Sequence, residues 1–461
     1  MLRTVGGGAP TLWESILASA VLGMPGELER VDRLLEDRRF VEPYRAFFHA
    51  TLGRPSIPIE TYLRLMFLKY RYRLGFESLC REVGDSITWQ RFCRIPLGGR
   101  VPHPTTLMKI TTRCGEDVIA ALNETLVLKA AEAKVLRLHK VRADTTVVEA
   151  NVAYPVDSSL LAKGITRLAR LARSAQAQGL ATRTRVRDRS RGAHRRARQV
   201  VNALRRRGDD ARVEVHRLNV ELARAARRSV REAHAVIRNA RRTLQGLGDQ
   251  ASVRAVAIVQ RLEMLAERVA AVADQTIQRV VEHVTPADAT RIVSLHDPDA
   301  RPIRKGRLGR PVEFGYKAQV LDNADGIILD WTLQVGNPAD APQLVPAIQR
   351  VHELTGRTPR AVTADRGYGE AAIETQLREL GVTQVCIPRK GRPGAARRAV
   401  EHSRSFQRMT RWRTGAEGRI NCIKRDYGCR RTHMDTLTGA RTWTGHGIFT
   451  HNLTKISGLV G

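Results

Sequence analysis

The sequence predicts an α/β core in the order β-β-β-α-β-α-β-α. A long arginine-rich helical insertion interrupts it after the first strand, and an all-α, helix-turn-helix-like domain precedes it. Three observations predict this. Residues 139–152 are rich in β-branched side chains, and 312–385 alternate strand and helix patterns. Between them, residues 158–285 break into helix-length pieces, and no Phe, Trp or Tyr occurs from Pro155 to Glu313. Residues 12–136 keep helical spacing throughout. With the insertion removed, the element order is that of an RNase H-like fold.

Taken in order, residues 1–10 (MLRTVGGGAP) read as a flexible start. A helix with a broad apolar face follows Pro58. Two short helical pieces, Phe76–Val83 and Ser86–Ile95, precede a third that begins after Pro102 and Pro104. Short helices joined by tight turns are the helix-turn-helix pattern. Thr105, Thr106, Lys109 and Arg113 lie near one face of the third piece, which suits a DNA groove. The first strand of the core centres on Asp144. Gly179, Gly192, Gly208 and Gly246 divide the insertion, which reads as hairpins of long helices ended by Pro286. Phe314–Leu321 and Ile327–Val335 form a hairpin around an Asp-Gly turn at 322–326. Helix Asp340–Leu354, strand Arg360–Ala364, helix Glu370–Leu380 and strand Thr383–Pro388 follow. A basic loop leads to a helix from 405 to about 426, and the remainder to 461 has no clear element. The domain boundaries expected are 1–136 for the helical domain, 137–157 with 287–430 for the core, 158–286 for the insertion and 431–461 for a carboxy-terminal extension.

Charge narrows the function. The 461 residues hold 78 Lys or Arg against 46 Asp or Glu, a net +32, which attracts polyanions and disfavours a small-molecule metabolic enzyme. Residues 161–245 hold 24 Lys or Arg against 6 Asp or Glu, more than half of that excess. Arginine without aromatics suits phosphates of double-stranded DNA rather than stacking on single strands. Six cysteines without a CxxC pair fit a reducing cytoplasm. The apolar stretch at 15–24 is too short to span a membrane, and there is no GxxxxGK[ST] loop for ATP.

Three acids stand where chemistry is expected. Asp144 is inside the first strand, Asp365 ends a later strand in ADRGYG, and Glu417 lies on the last helix. The first and fourth strands of an RNase H-like sheet are neighbours, so the two aspartates meet and the glutamate reaches in. Three carboxylates at one point call for a cation, and hard oxygen ligands select Mg²⁺ or Mn²⁺. Two such ions would clamp an in-line phosphodiester displacement. Arg413, Glu417 and Lys424 are spaced by four and seven, on one helical face, so two cations for phosphates flank the last acid.

These motifs resemble the DDE transposases of bacterial insertion sequences, in the group with a Tyr-Arg-Glu-Lys signature around the final acid. Arg413, Glu417 and Lys424 match that spacing, whereas the tyrosine position is Thr410. DTTVVEANVAYPVDS, ADRGYGE and FESLCREVGDSITWQRFCRIPLG followed by PHPTTLMKI carry the rest of the resemblance. It implies that Asp144, Asp365 and Glu417 are catalytic acids and metal ligands, with Asp144 touching both ions. It further implies cleavage of double-stranded DNA at the terminal inverted repeats and transfer into target DNA. A homodimer in the synaptic complex and a cytoplasmic, nucleoid-associated place in a bacterium follow. The alternative is a decayed relic that occupies element ends without catalysis.

Competing residues have other readings. Glu149 points to the opposite strand face, Asp322 and Asp325 read as turn residues, Asp330 as a strand-edge charge, and Asp157 and Asp340 as helix caps. Glu370 and Glu401 are the substitutes for Glu417. Cys422, Cys429, His433, His446 and His451 invite a zinc reading, but the C-x6-C spacing of Cys422 and Cys429 is too long for a zinc finger, so buried thiols and surface imidazoles are the reading. RKGRLGRP at 304–311 reads as a DNA-facing or flexible linker.

Overall fold

A computed structural model describes residues 1–4, 23–206, 208–304 and 311–460. The proposed flexible start, the apolar stretch at 15–24 and the RKGRLGRP linker fall largely outside the described residues. Two compact units result. The first comprises 1–150, 316–334 and 338–461, and the second 151–315 and 335–337. The boundaries expected at 136/137 and 430/431 therefore fall inside one unit.

The first unit is built on a mixed sheet. Strand β1 (Val141–Glu149) lies between β3 (Val312–Asn323) and β5 (Ala361–Thr363). β4 (Ile328–Val335) pairs antiparallel with β3, and β6 (Gln384–Cys386) pairs parallel with β5. The resulting order β4-β3-β1-β5-β6 suits an RNase H-like core. β1 and β5 are parallel, with Val141 beside Val362 and Arg142 beside Thr363. The short β5 is buried throughout, as expected for a central parallel strand.

Helices share a core with this sheet. Among them are α1 (Gly26–Leu34), α2 (Ile59–Arg71), α3 (Phe76–Asp85), α4 (Ile87–Phe92) and α5 (Pro104–Glu132). α5 is two helical stretches joined at Gly115, whose φ of 60° needs glycine. One continuous core joins these helices to the sheet, through Leu68, Leu122, Val141, Val362 and Phe449 among others.

Residues 431–461, where the sequence shows no clear element, are largely helical. Thr436–Val460 form a 25-residue helix, here α15, much of it buried. Its threonines and glycines have low helix propensity, so the element is hidden from local reading. Packing decides instead. A Cβ on Gly445 would stand 2.9 Å from Ile119 and 3.0 Å from Trp331, so the glycine permits close approach to both α5 and β4.

The second unit holds α6 (Asp157–Ala177), α7 (Ser190–Leu204), α8 (Asp209–Leu247) and α9 (Val253–Val280), with an alanine- and leucine-rich core. A short strand β2 (Arg301–Arg304) pairs antiparallel with the first residues of β3. Among the described residues no helix is long and apolar enough to cross a membrane.

Candidate active site

The site begins with strand register. Continuing the β1–β5 pairing by two residues places Asp144, inside β1, beside Asp365, just past the carboxyl end of β5. Asp144 Oδ1 accepts the backbone N–H of Thr145 at 2.8 Å. Asp365 caps the turn Arg366–Tyr368, its Oδ1 accepting the N–H of Gly367 at 2.8 Å. Each aspartate thus uses one oxygen locally and keeps the second for other partners.

The third acid arrives on helices. α13 (Arg404–Arg413) and α14 (Gly415–Asp426) meet at Thr414, whose backbone remains right-handed helical. The single helix expected over 405–426 is therefore two, divided at that residue. Glu417 is exposed in the first turn of α14, where a carboxylate suits the positive helix end. The Arg413 guanidinium stands 3.8 Å from Asp144 Oδ2.

Electrostatics ties the acids together. Burial, with the charges of Asp365 and Glu417, pushes Asp144 up to about 6, against its bond to Thr145 and the nearby Arg413. Tyr368 is held well above its ordinary range by burial and by Asp340, Asp144 and Asp365. Its hydroxyl donates to Gln319 Oε1 at 3.1 Å. Asp144 thus feels the charges of the other two proposed acids. Among the described residues, however, no group of three His, Cys, Asp or Glu stands as a ready metal cage. The donor set is still all carboxylate oxygen, and a carboxyl raised by burial and, less, by like charges is one that a hard cation would relieve.

Asp340 is the acid that sequence reasoning placed elsewhere. It stands at the cap position of α10 (Ala341–Thr355), but its side chain makes no cap bond. It pairs instead with Lys317 Nζ at 2.6 Å. A Cβ on Gly367 would lie 2.9 Å from Asp365 Oδ1 and 3.1 Å from Asp340 Oδ2, so both acids crowd that glycine. Its neighbourhood depends on a β3 lysine 23 positions away, which no local pattern reveals.

A buried ion network stands behind the site. Arg142, two residues before Asp144, donates to both oxygens of Asp322 at 2.8 and 2.9 Å, and to the Trp412 carbonyl at 2.8 Å. The Trp412 ring lies under its guanidinium at 4.6 Å. Arg419 on α14 reaches Asp322 at 3.3 Å. Asp322 is accordingly a buried strand residue and not a turn residue. It ties β1 and β3 to the helices that carry Arg413 and Glu417.

Other candidates are occupied. Glu149 pairs with Arg431 at 3.1 Å, Glu401 with Arg397 at 2.9 Å, and Glu370 with Lys390 at 3.3 Å. Asp157 pairs with Arg279 at 3.0 Å, and Asp330 with Arg350 at 2.7 Å. His446 stacks on Tyr70, and His451 bonds the Gly326 carbonyl at 2.9 Å. Lys424, seven residues along α14 from Glu417, borders Thr146 and Val148 of β1.

Thr105, Thr106, Lys109 and Arg113 lie on the outer side of the first stretch of α5, and all but the half-buried Thr106 are exposed. Thr106 and Lys109 line a cleft of about 720 Å³ with Arg3, Arg54, Arg94 and Arg100. This is a basic surface apart from the carboxylates, and its arginines were not singled out by sequence because they come from separate loops.

Comparison with known proteins gives two family matches. Residues 20–113 match the family described as "Transposase domain (DUF772)", and residues 269–453 match "Transposase DDE domain". The second match contains Asp365, Arg413, Glu417 and Lys424. It begins beyond Asp144, which the insertion separates from the rest of the core. The chain is 26% identical over 161 residues to "Uncharacterized protein ORF8 in nfe locus" of Rhizobium meliloti, covering 33% of this chain and 76% of that protein. No solved structure matches.

Proposed function

The chain belongs to the DDE transposases of insertion sequences, and from that premise we propose that it cuts DNA at the ends of its own element and joins the freed 3′-hydroxyl to target DNA. The register that sets Asp144 beside Asp365 carries this reading, with Glu417 close enough to raise Asp144. These three carboxylates would hold two Mg²⁺ or Mn²⁺ ions. When bound, the metal supplies Lewis acidity toward the attacking and leaving oxygens of the scissile phosphodiester.

The remaining work belongs to the chain. Arg413 stands beside Asp144 and can take a phosphate oxygen, and Lys424 offers a second cation on α14. The Arg142–Asp322–Arg419 network fixes the helix bearing Glu417 against β1. Catalysis is then positioning and charge neutralisation, with no covalent protein intermediate. The α5 face of Thr105, Thr106, Lys109 and Arg113 holds the terminal inverted repeat as a helix-turn-helix-like domain over 1–136. Two ends must be held together, so the working form is a homodimer on the bacterial nucleoid.

Cleavage of a labelled duplex carrying the element ends tests this, with Mg²⁺, Mn²⁺ or EDTA, for the wild type and Asp365→Asn. Metal-dependent nicking at the boundary is expected, abolished in the variant with binding retained. Tight binding without nicking in either metal would refute the catalytic reading.

A further inference from the structure

The arginines of the second unit are not equivalent. Several are neutralised within the bundle, such as Arg189 by Glu232 at 2.6 Å, Arg196 by Glu221 at 2.7 Å and Arg227 by Asp274 at 2.7 Å. Five on α8 are different. Arg224, Arg228, Arg231, Arg238 and Arg242 are all exposed. Among the described residues none of the five has an ion pair or hydrogen-bond partner.

Their spacing puts them together. Steps of four, three, seven and four hold all five within about 80° of the helix circumference, at roughly 100° per residue. The opposite side of α8 is its buried seam, with Leu222, Ala226, Ala233 and Ile237. The stripe is about 27 Å long at roughly 1.5 Å per residue. Exposed arginines held in a row without carboxylates repel one another, and the fold provides nothing to relieve them. α7 carries a shorter run with the same spacing, Arg191, Arg195 and Arg198.

We propose that this α8 stripe is a docking surface for the phosphate backbone of double-stranded DNA, read without regard to sequence. It rests on the proposed function for its partner, and extends that function with a non-specific site remote in sequence from the acids. Duplex DNA presents about one negative charge per 1.7 Å of axis, so the stripe faces a continuous row of phosphates. A preformed helix meets this without a cost of ordering its backbone. The unit lacks aromatic residues between 155 and 313, which removes the stacking platform that single strands use. It also removes the aromatic anchors typical of a membrane-surface helix. Flanking or target DNA, outside the element ends, is the duplex this surface serves.

The test uses the full-length chain and a duplex of random sequence. The variant R224Q/R228Q/R231Q/R238Q/R242Q is compared with R173Q/R206Q/R217Q/R227Q/R241Q, which removes the same charge from ion-paired arginines of the same unit. Circular dichroism confirms that both retain their helices. The slope of log K against log salt is expected to fall by about 3 or more for the stripe variant, toward a limit of roughly 0.9 per phosphate contact. The control set should change it by about 1 or less. Equal losses in the two sets, or no loss in the stripe variant, overturn the proposal. So does binding to anionic lipid vesicles that competes away the duplex. End cleavage by the wild type is measured in parallel. Absent cleavage with an intact stripe effect defeats the catalytic reading alone, and normal cleavage with an unchanged slope defeats the stripe alone.

Discussion

Replacing Asp322 by Asn should destabilise the first unit by about 3 kcal/mol. The Arg142 and Asp322 side chains are 8% and 3% exposed, joined by two hydrogen bonds, with Arg419 on the same carboxylate. Removing one partner of a buried pair costs about 3–5 kcal/mol because the other charge stays buried. The lower end applies here, since Asn keeps one acceptor and Arg142 keeps the Trp412 carbonyl. Urea unfolding followed by tryptophan fluorescence is the assay. All five Trp lie outside residues 155–313, and Trp412 touches Arg142 itself, so the signal reports the first unit. The double variant R142M/D322L should recover at least half of the loss, because it removes both charges together. A cost below about 1 kcal/mol for D322N at an unchanged denaturant slope would refute the reasoning. A double variant no better than D322N would do the same.

Three further outcomes are expected. His446 is buried against Tyr70 and held at about 3 by burial, with Lys69 adding, so it is neutral in the fold. Its contribution is complete above about pH 6.5 and is lost as the pH falls toward 3; H446Q should therefore flatten the fall in urea midpoint between pH 7.5 and 4.5, and a slope equal to the wild type's would count against this. Lys69 is held at about 7 by burial, its Nζ 4.1–4.8 Å from the rings of Trp443, Tyr70 and Phe76. Its depressed pKa means that stability declines as the pH falls from about 10.5 to 7, so K69M should gain about 2 kcal/mol at pH 7 after loss of the cation–π contacts, and less at pH 10. In the second unit, a Cβ on Gly164 would stand 2.5 Å from Val269 Cγ2. G164A should cost about 1 kcal/mol, overpacking exceeding the gain in helix propensity, and V269A in the same chain should relieve it, as read by ellipticity at 222 nm.

The three proposed acids were legible as candidates because each sits in a local context that sequence reveals: a β-branched run, the end of a short buried strand, the start of a basic helix. Their partners were not. Asp322 looked like a turn residue because DNADG follows the strand, and only the fold shows that the strand runs through Asn323 and faces Arg142, 180 positions earlier. Asp340 looked like a cap because it precedes APQL, yet Lys317 claims it. The arginine content of the insertion was plain, but which arginines are neutralised depends on interhelical neighbours. α15 was invisible because its glycines and threonines are chosen for close packing and not for helix propensity.

The position of the insertion also sets an order of events during synthesis. Residues 151–315 are contiguous apart from the small 335–337 return, so their bundle can form as soon as it leaves the ribosome. β1 emerges earlier and then waits, because its neighbour β5 lies more than two hundred positions downstream. At about 5–20 residues per second, Glu417 follows Asp144 by roughly 14–55 s. No nascent chain therefore unites the three carboxylates until the whole basic bundle has been made. Under this timing, a shortened product ending before residue 361 would keep the arginine-rich bundle but lack Asp365 and Glu417.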